Sequence, residues 1–195
     1  MPAISGGVQY SYLFRNDDGT EVTASSLAGI GQEISIINTI DFPFRLRIGI
    51  DYPSLQPGAG TFAYQLQYQL NNGAWANIST STTGIHLASC SGSHFADHDP
   101  TTALLNRPST DTFVAGSIQN NDDTSSSIVI NTLGGQYTEL EWMLTTIGAD
   151  LSRNDALSFR VIFSSGSLLG TYNVTPTIFI TALPPVSKLP LMGAG

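Results

Sequence analysis

The sequence predicts an all-β protein, a two-sheet antiparallel β-sandwich with jelly-roll or immunoglobulin-like connections. Three observations carry this prediction. Apolar residues recur with period two along most of the chain, turn-forming residues break the runs at regular intervals, and no segment shows a convincing amphipathic helical period.

The runs follow in chain order. Tyr10, Tyr12 and Phe14 alternate, and so do Phe44, Leu46, Ile48 and Ile50, with Arg45 and Arg47 between them. Phe62, Tyr64, Leu66, Tyr68 and Leu70 alternate with Gln65, Gln67 and Gln69. Leu140, Trp142 and Leu144 alternate with Glu139, Glu141 and Met143, and Leu157, Phe159, Val161 and Phe163 with Ser158, Arg160 and Ile162. Each run puts one face in a core and the other in a polar setting, as an antiparallel sheet requires. Weaker strands are expected over residues 34–37, 75–78, 113–118, 128–130 and 177–180. Asn16-Asp17-Asp18-Gly19, Pro57-Gly58-Ala59-Gly60, Asn71-Asn72-Gly73, Asn120-Asn121-Asp122-Asp123 and Ser164-Ser165-Gly166 supply the turns. Asn71-Asn72-Gly73 in particular predicts a tight hairpin. Residues 23–30 could form one short helical turn. About ten strands of this kind make a sandwich or barrel, and aromatic-rich strands suit a thick inter-sheet core.

No composition break divides the chain, so residues 1–183 are read as one sandwich domain. Two segments depart from the strand-and-turn pattern. Residues 85–108 are too long for a hairpin loop and have no period. Residues 184–195 carry Pro184, Pro185 and Pro190, which favour an extended C-terminal arm, and Val186, Leu189, Leu191 and Met192 make it apolar.

Composition excludes several functions. Charged residues are 11% of the chain, under half the usual share, so Ser, Thr, Asn and Gln must build much of the surface. Net charge is -8, with Lys188 the single lysine and no basic cluster, which argues against nucleic acid and anionic membranes as partners. The one cysteine, Cys90, permits no intrachain disulfide. The first residues lack the basic and apolar regions of a signal peptide, and no run approaches the ~18 apolar residues of a membrane helix, so cytoplasmic synthesis is expected.

Candidate chemistry is sparse. His86, Cys90, His94 and His98, with Asp97 and Asp99, are residue types that ligate zinc, but the segment reads as a loop and the spacing matches no metal signature. A polar surface loop is the preferred reading, with no metal and no cofactor. The two acidic turns offer oxygens to calcium without the full ligand order of a calcium loop, so they are read as turns. Glu139 and Glu141 could mimic paired glycosidase carboxylates. The preferred reading is a solvated strand face, with Arg45, Arg47 or Arg160 as neighbours. No nucleophile elbow or phosphate-binding loop occurs, and no enzyme activity is expected. Tyr64, Tyr68 and Trp142 are assigned to the core rather than to a sugar-stacking surface.

Several segments, taken in order, carry a family resemblance. They are Phe14-Arg15-Asn16-Asp17-Asp18-Gly19-Thr20-Glu21, Phe44-Arg45-Leu46-Arg47-Ile48, Tyr64-Gln65-Leu66-Gln67-Tyr68 and Asn72-Gly73-Ala74-Trp75. Phe113-Val114-Ala115-Gly116, Thr138-Glu139-Leu140-Glu141-Trp142, Phe159-Arg160-Val161 and Thr171-Tyr172-Asn173-Val174-Thr175-Pro176 complete the series. This order resembles β-rich modules encoded by tailed bacteriophages and bacteria. The resemblance implies a β-sandwich associated with virions or bacterial surfaces, and it brings no catalytic residues. The expectation is a virion structural protein, a capsid decoration (cement) protein that contacts the major capsid protein or other virion proteins and forms homo-oligomers. The arm residues Pro184, Pro185, Val186, Leu189, Leu191 and Met192 are its expected partner-binding site. The alternative is a tail or surface module recognising host glycans.

Overall fold

The computed structural model describes residues 6–37, 41–53, 59–106, 110–131 and 135–182. The predicted arm, with Pro184, Pro185, Val186, Leu189, Leu191 and Met192, and the domain boundary before it lie outside the described residues.

The chain is all-β. In order the strands are β1 (Val8–Arg15), β2 (Ile34–Ile37), β3 (Phe42–Tyr52), β4 (Ala59–Phe62), β5 (Tyr64–Leu70), β6 (Ala76–Asn77), β7 (Ile85–Leu87), β8 (Thr112–Gln119), β9 (Ile128–Asn131), β10 (Gln136–Thr146), β11 (Ala156–Phe163), β12 (Thr171–Tyr172) and β13 (Thr177–Thr181). The first sheet runs β12-β1-β3-β10, and the far edge of β10 is shared by β7 and β8. The second runs β2-β13-β11-β5-β6. β4 and β9 form a separate two-stranded ribbon.

The two sheets face each other across one core. Phe14, Phe44, Leu46, Ile48, Leu140, Trp142 and Leu144 come from the first, and Tyr64, Leu66, Leu157, Phe159, Val161, Ile178 and Ile180 from the second. Phe159 lies edge-on to both Phe14 and Phe44, each ring pair 6.5 Å apart between centroids. The Tyr52 and Tyr64 hydroxyls join across the layers at 2.7 Å. Burial dominates the shift of both phenols, raising them above their ordinary value of 10.0. At one end Phe62 of the ribbon stacks on Tyr52 at 5.8 Å and closes the core.

The predicted hairpin forms as expected. Asn71 and Asn72 both have positive φ, the Gly73 N–H donates to the Leu70 carbonyl at 2.9 Å, and β5 pairs with β6.

Four expectations are corrected. The sheets are antiparallel through their centres, but β12 with β1, β8 with β10 and β2 with β13 pair in parallel. These edge strands reach their partners from distant parts of the chain, where no tight hairpin sets direction. The run from Phe62 to Leu70 is broken at Ala63, and its two halves belong to different sheets. Tyr10 does not continue the inward alternation of Tyr12 and Phe14. A bulge between Gln9 and Ser11 turns the Tyr10 ring over Gly49, where a Cβ would sit 2.6 Å from it. Gln9 turns inward instead, accepting from the Val161 N–H at 2.8 Å and donating to the Val174 carbonyl at 2.9 Å. Residues 23–30 form no helix. One turn overlaps their start, from the Ala24 N–H to the Thr20 carbonyl at 3.1 Å, and another overlaps their end, from the Gln32 N–H to the Gly29 carbonyl at 3.0 Å.

Candidate functional site

The polar face of β1, β3 and β10 is not solvated. Arg15, Arg45, Arg47, Glu139 and Glu141 are each no more than 1% exposed, although all lie on the face turned away from the hydrophobic core. The expectation of a solvated strand face is therefore corrected, while the expected pairing with Arg45 and Arg47 is found. Arg160 takes no part: it lies on the second sheet. Two segments cover the face. One is the turn over residues 17–24, and the other is the aperiodic stretch that follows β7.

Glu141 is the centre of the cluster. It accepts from Arg15 Nη1 at 2.9 Å and from Arg47 Nε at 2.6 Å, and Arg45 Nη1 lies 3.8 Å away. Arg47 reaches Glu139 at 3.1 Å, the Thr102 carbonyl at 2.9 Å, and the Glu21 carboxylate. Arg15 also donates to the carbonyls of Glu21 and Ala24, at 2.7 and 3.0 Å. Arg45 holds Asp17 with Nε and Nη2 and donates to the Gly19 and Thr20 carbonyls. Three guanidiniums thus meet four carboxylates in a layer closed to water. Fork-shaped guanidiniums can bridge side chains and backbone carbonyls together, which a lysine ammonium does less well.

The covering stretch is pinned by the same charges. Glu139 accepts the N–H groups of Leu104 and Leu105, at 3.0 and 2.8 Å. Glu21 accepts the Thr102 N–H at 2.9 Å, and Asp17 accepts the Ser91 N–H at 2.5 Å. Phe95 slides under Arg45, whose guanidinium carbon is 4.5 Å from the ring centroid, and packs with Ile118 and Met143 into a small second core. Between β8 and β10 the Thr101 hydroxyl donates to the Glu139 carbonyl at 2.6 Å and accepts from the Gly116 N–H at 2.9 Å, filling a bulge in the ladder. A Cβ on Gly116 would stand 1.9 Å from that carbonyl, so only glycine fits.

Protonation follows the contacts. Burial alone would raise the Asp17 carboxyl, but the Ser91 N–H and the Arg45 guanidinium outweigh it and hold the group below its ordinary 3.8. Burial likewise works against Glu21, and the Thr102 N–H and Arg47 outweigh it, leaving it below 4.5. For Glu139 burial wins over Arg47 and the Leu105 and Leu104 N–H groups, and the carboxyl is raised.

The remaining sequence candidates separate. Glu139 and Glu141 do not flank an open cleft, so the glycosidase-like pairing has no room for a sugar. Asp18 is bound by Ser25, and Asp123 by Gln65 and Thr124, so both acidic turns spend these carboxylates on their own fold. His86 lies on β7, while Cys90 and His94 line a shallow depression with Phe95. His98 and Asp97 sit instead beside Asp122 of the turn after β8. The signal that could have revealed the buried charge layer was Arg rather than Lys on β1 and β3, together with a long aperiodic segment that had to cover something.

The other sheet is open over part of its outer face; at one end Ile162, which shares that face, is buried beside Leu168. Gln65, Gln67, Gln69, Ser158, Arg160 and Thr177 line it, all half-buried within the sheet, with Phe179 at 42% exposure beside them. Arg160 donates to Gln67 at 2.7 Å and lies 4.3 Å over the Trp75 ring. Tyr64, Leu66 and Trp142 are buried and Tyr68 packs against the core, as expected.

Comparison with models of known families, with curated proteins and with solved structures gives no match to this chain. Fold and site define an all-β sandwich with an internal charge layer and one open, sparsely charged sheet face.

Proposed function

We propose that this chain is a non-enzymatic structural protein of a virus particle, a capsid decoration protein that stabilises the shell by subunit contacts. The observation that supports this reading best is the open face of the second sheet. It is rich in amides and hydroxyls, and among Gln65, Gln67, Gln69, Ser158, Arg160 and Thr177 only Arg160 is charged. Desolvating such a face costs less than desolvating an ordinary charged surface, and its amides can exchange hydrogen bonds with a partner. Half of the chain's six arginines are spent inside: Arg15, Arg45 and Arg47 are buried with their carboxylates. Particle symmetry would multiply weak contacts of this kind by avidity. The partners proposed are the major capsid protein or other virion proteins, and further copies of the chain.

A second reading, a tail or surface module recognising host glycans, draws on Trp75 and the Gln67 and Gln69 amides at the edge of the same face. Quantifying the chain in purified particles separates the two. A fixed ratio to the major capsid protein, in many copies, supports decoration. A few copies per particle would move the assignment to the tail, with sugar-array binding as the next test. Absence from particles overturns both virion assignments.

A further inference from the structure

The His98 imidazole has three oxygen donors around one nitrogen. Its Nε2 lies 3.5 Å from Asp97 Oδ2, 3.5 Å from Asp122 Oδ2 and 3.1 Å from the Thr124 carbonyl oxygen. The three side-chain donor atoms all fall within 4.8 Å of one another, the only such set of His, Cys, Asp and Glu among the described residues. A tetrahedral ion bonded at about 2.0–2.2 Å has ligand-to-ligand edges of roughly 3.3–3.6 Å. The three separations from His98 fall at or just inside that edge length. Both carboxylates turn an oxygen to the same nitrogen, a place where a positive charge offsets their mutual repulsion.

We propose that Asp97, His98, Asp122 and the Thr124 carbonyl form a binding site for a divalent first-row metal ion of the zinc class. Each carboxylate is held by its other oxygen: Asp97 Oδ1 accepts the Asn120 N–H at 2.7 Å, and Asp122 Oδ1 accepts the Thr124 N–H at 3.1 Å. The His98 N–H donates to the Ile118 carbonyl at 2.8 Å, fixing the backbone that carries the ring against β8. Such outer contacts orient ligands before an ion arrives. Binding requires the neutral ring with its proton on Nδ1 and the Nε2 lone pair on the metal, so the Thr124 carbonyl changes from hydrogen-bond acceptor to ligand. Two carboxylates, one imidazole and one carbonyl suit zinc or manganese better than copper(I), which prefers sulfur.

The donors come from separate segments, Asp97 and His98 from the stretch covering the charge layer and Asp122 and Thr124 from the turn after β8. An ion there would clip the cover to the sandwich. His86, Cys90 and His94 contribute nothing to it. The site is independent of the virion assignment.

The test uses the full chain freed of metal by chelator. Titration with zinc, and with cobalt as a visible-absorption probe, is expected to saturate at one ion per chain and to raise the melting temperature. Cobalt should show the intense visible bands of a tetrahedral site. His98→Ala and Asp122→Asn should lose both effects; Asp122→Asn should keep the metal-free melting temperature, because its side chain lies at the surface, while His98→Ala, at φ +65°, should melt a few degrees lower with and without metal alike. No saturable binding, or binding that survives His98→Ala, overturns the proposal. The metal-free circular dichroism spectra of the variants guard against a folding artefact.

Discussion

Replacing Glu141 by Gln removes one negative charge from the centre of the buried layer and changes little else in shape. The amide leaves one neutral acceptor where two carboxylate oxygens served Arg15 and Arg47; otherwise Arg15 keeps the Glu21 and Ala24 carbonyls, and Arg47 keeps Glu21, Glu139 and the Thr102 carbonyl. The three guanidiniums remain buried with one carboxylate fewer. Breaking a buried ion pair by removing one partner costs about 3–5 kcal/mol. For a chain of this length each kcal/mol lowers the melting temperature by about 2–4 °C, so a fall of roughly 6–20 °C is expected. Urea unfolding followed by tryptophan fluorescence measures it well, because Trp142 is the next residue on β10 and is fully buried. Pairing Glu141→Gln with Arg15→Met should cost less than the sum of the two single changes, by about 1–3 kcal/mol. The reasoning fails if Glu141→Gln costs under about 1 kcal/mol, the range of exposed ion pairs, and combines additively with Arg15→Met.

Other perturbations follow from the same contacts. Asp17 and Glu21 are held below 3.8 and 4.5, so their contribution is complete above pH ~4.5 and is lost as pH falls through their lowered folded values. Glu139, raised by burial, takes up its proton earlier and acts in the opposite sense. A pH series of urea midpoints should therefore be flat near neutrality and drop in acid, and a midpoint that rises steadily below pH ~4 would contradict this sign. Gly116→Ala should destabilise by about 1–3 kcal/mol or more, since the added methyl meets the Glu139 carbonyl; an unchanged melting temperature would show that β8 and β10 do not approach this closely at the bulge. Phe159→Ala empties the space between Phe14 and Phe44 and should cost about 3–5 kcal/mol by chemical denaturation. Deleting residues 184–195 should weaken particle binding while the melting temperature stays put, and full binding by the truncated chain would remove the arm from the account.

Much of the fold was legible in the sequence because period two marks which residues share a face. Phe44, Leu46, Ile48 and Ile50 and their counterparts on β10 and β11 were assigned to the core on that pattern alone, and all are buried. The hairpin at Asn71-Asn72-Gly73 was equally readable, because its two asparagines suit positive φ. Periodicity is silent about what lies over the opposite face. Glu139 and Glu141 looked solvated because their cover, residues 17–24 and the stretch after β7, has no period of its own. The Tyr10 error has a similar root, since a one-residue bulge inverts the alternation without leaving a trace in residue type. The cluster at His98 is legible only in pieces: the sequence offers Asp97 and His98 as ligand types and the Asn120-Asn121-Asp122-Asp123 turn as an oxygen donor, but no spacing joins them, since Asp122 lies 24 residues past His98 and is brought there by the turn after β8.

The central claim is that the charges on β1, β3 and β10 form an internal layer that pins its covering segments. Residue-level hydrogen exchange tests it most directly. The account predicts that the Ser91, Thr102, Leu104 and Leu105 amides, which donate to Asp17, Glu21 and Glu139, are protected far beyond ordinary loop amides and lose that protection together in Glu141→Gln. Exchange of these four amides at the rate of an unstructured loop would mean that the charged face is open to water, and the account would be wrong at its base.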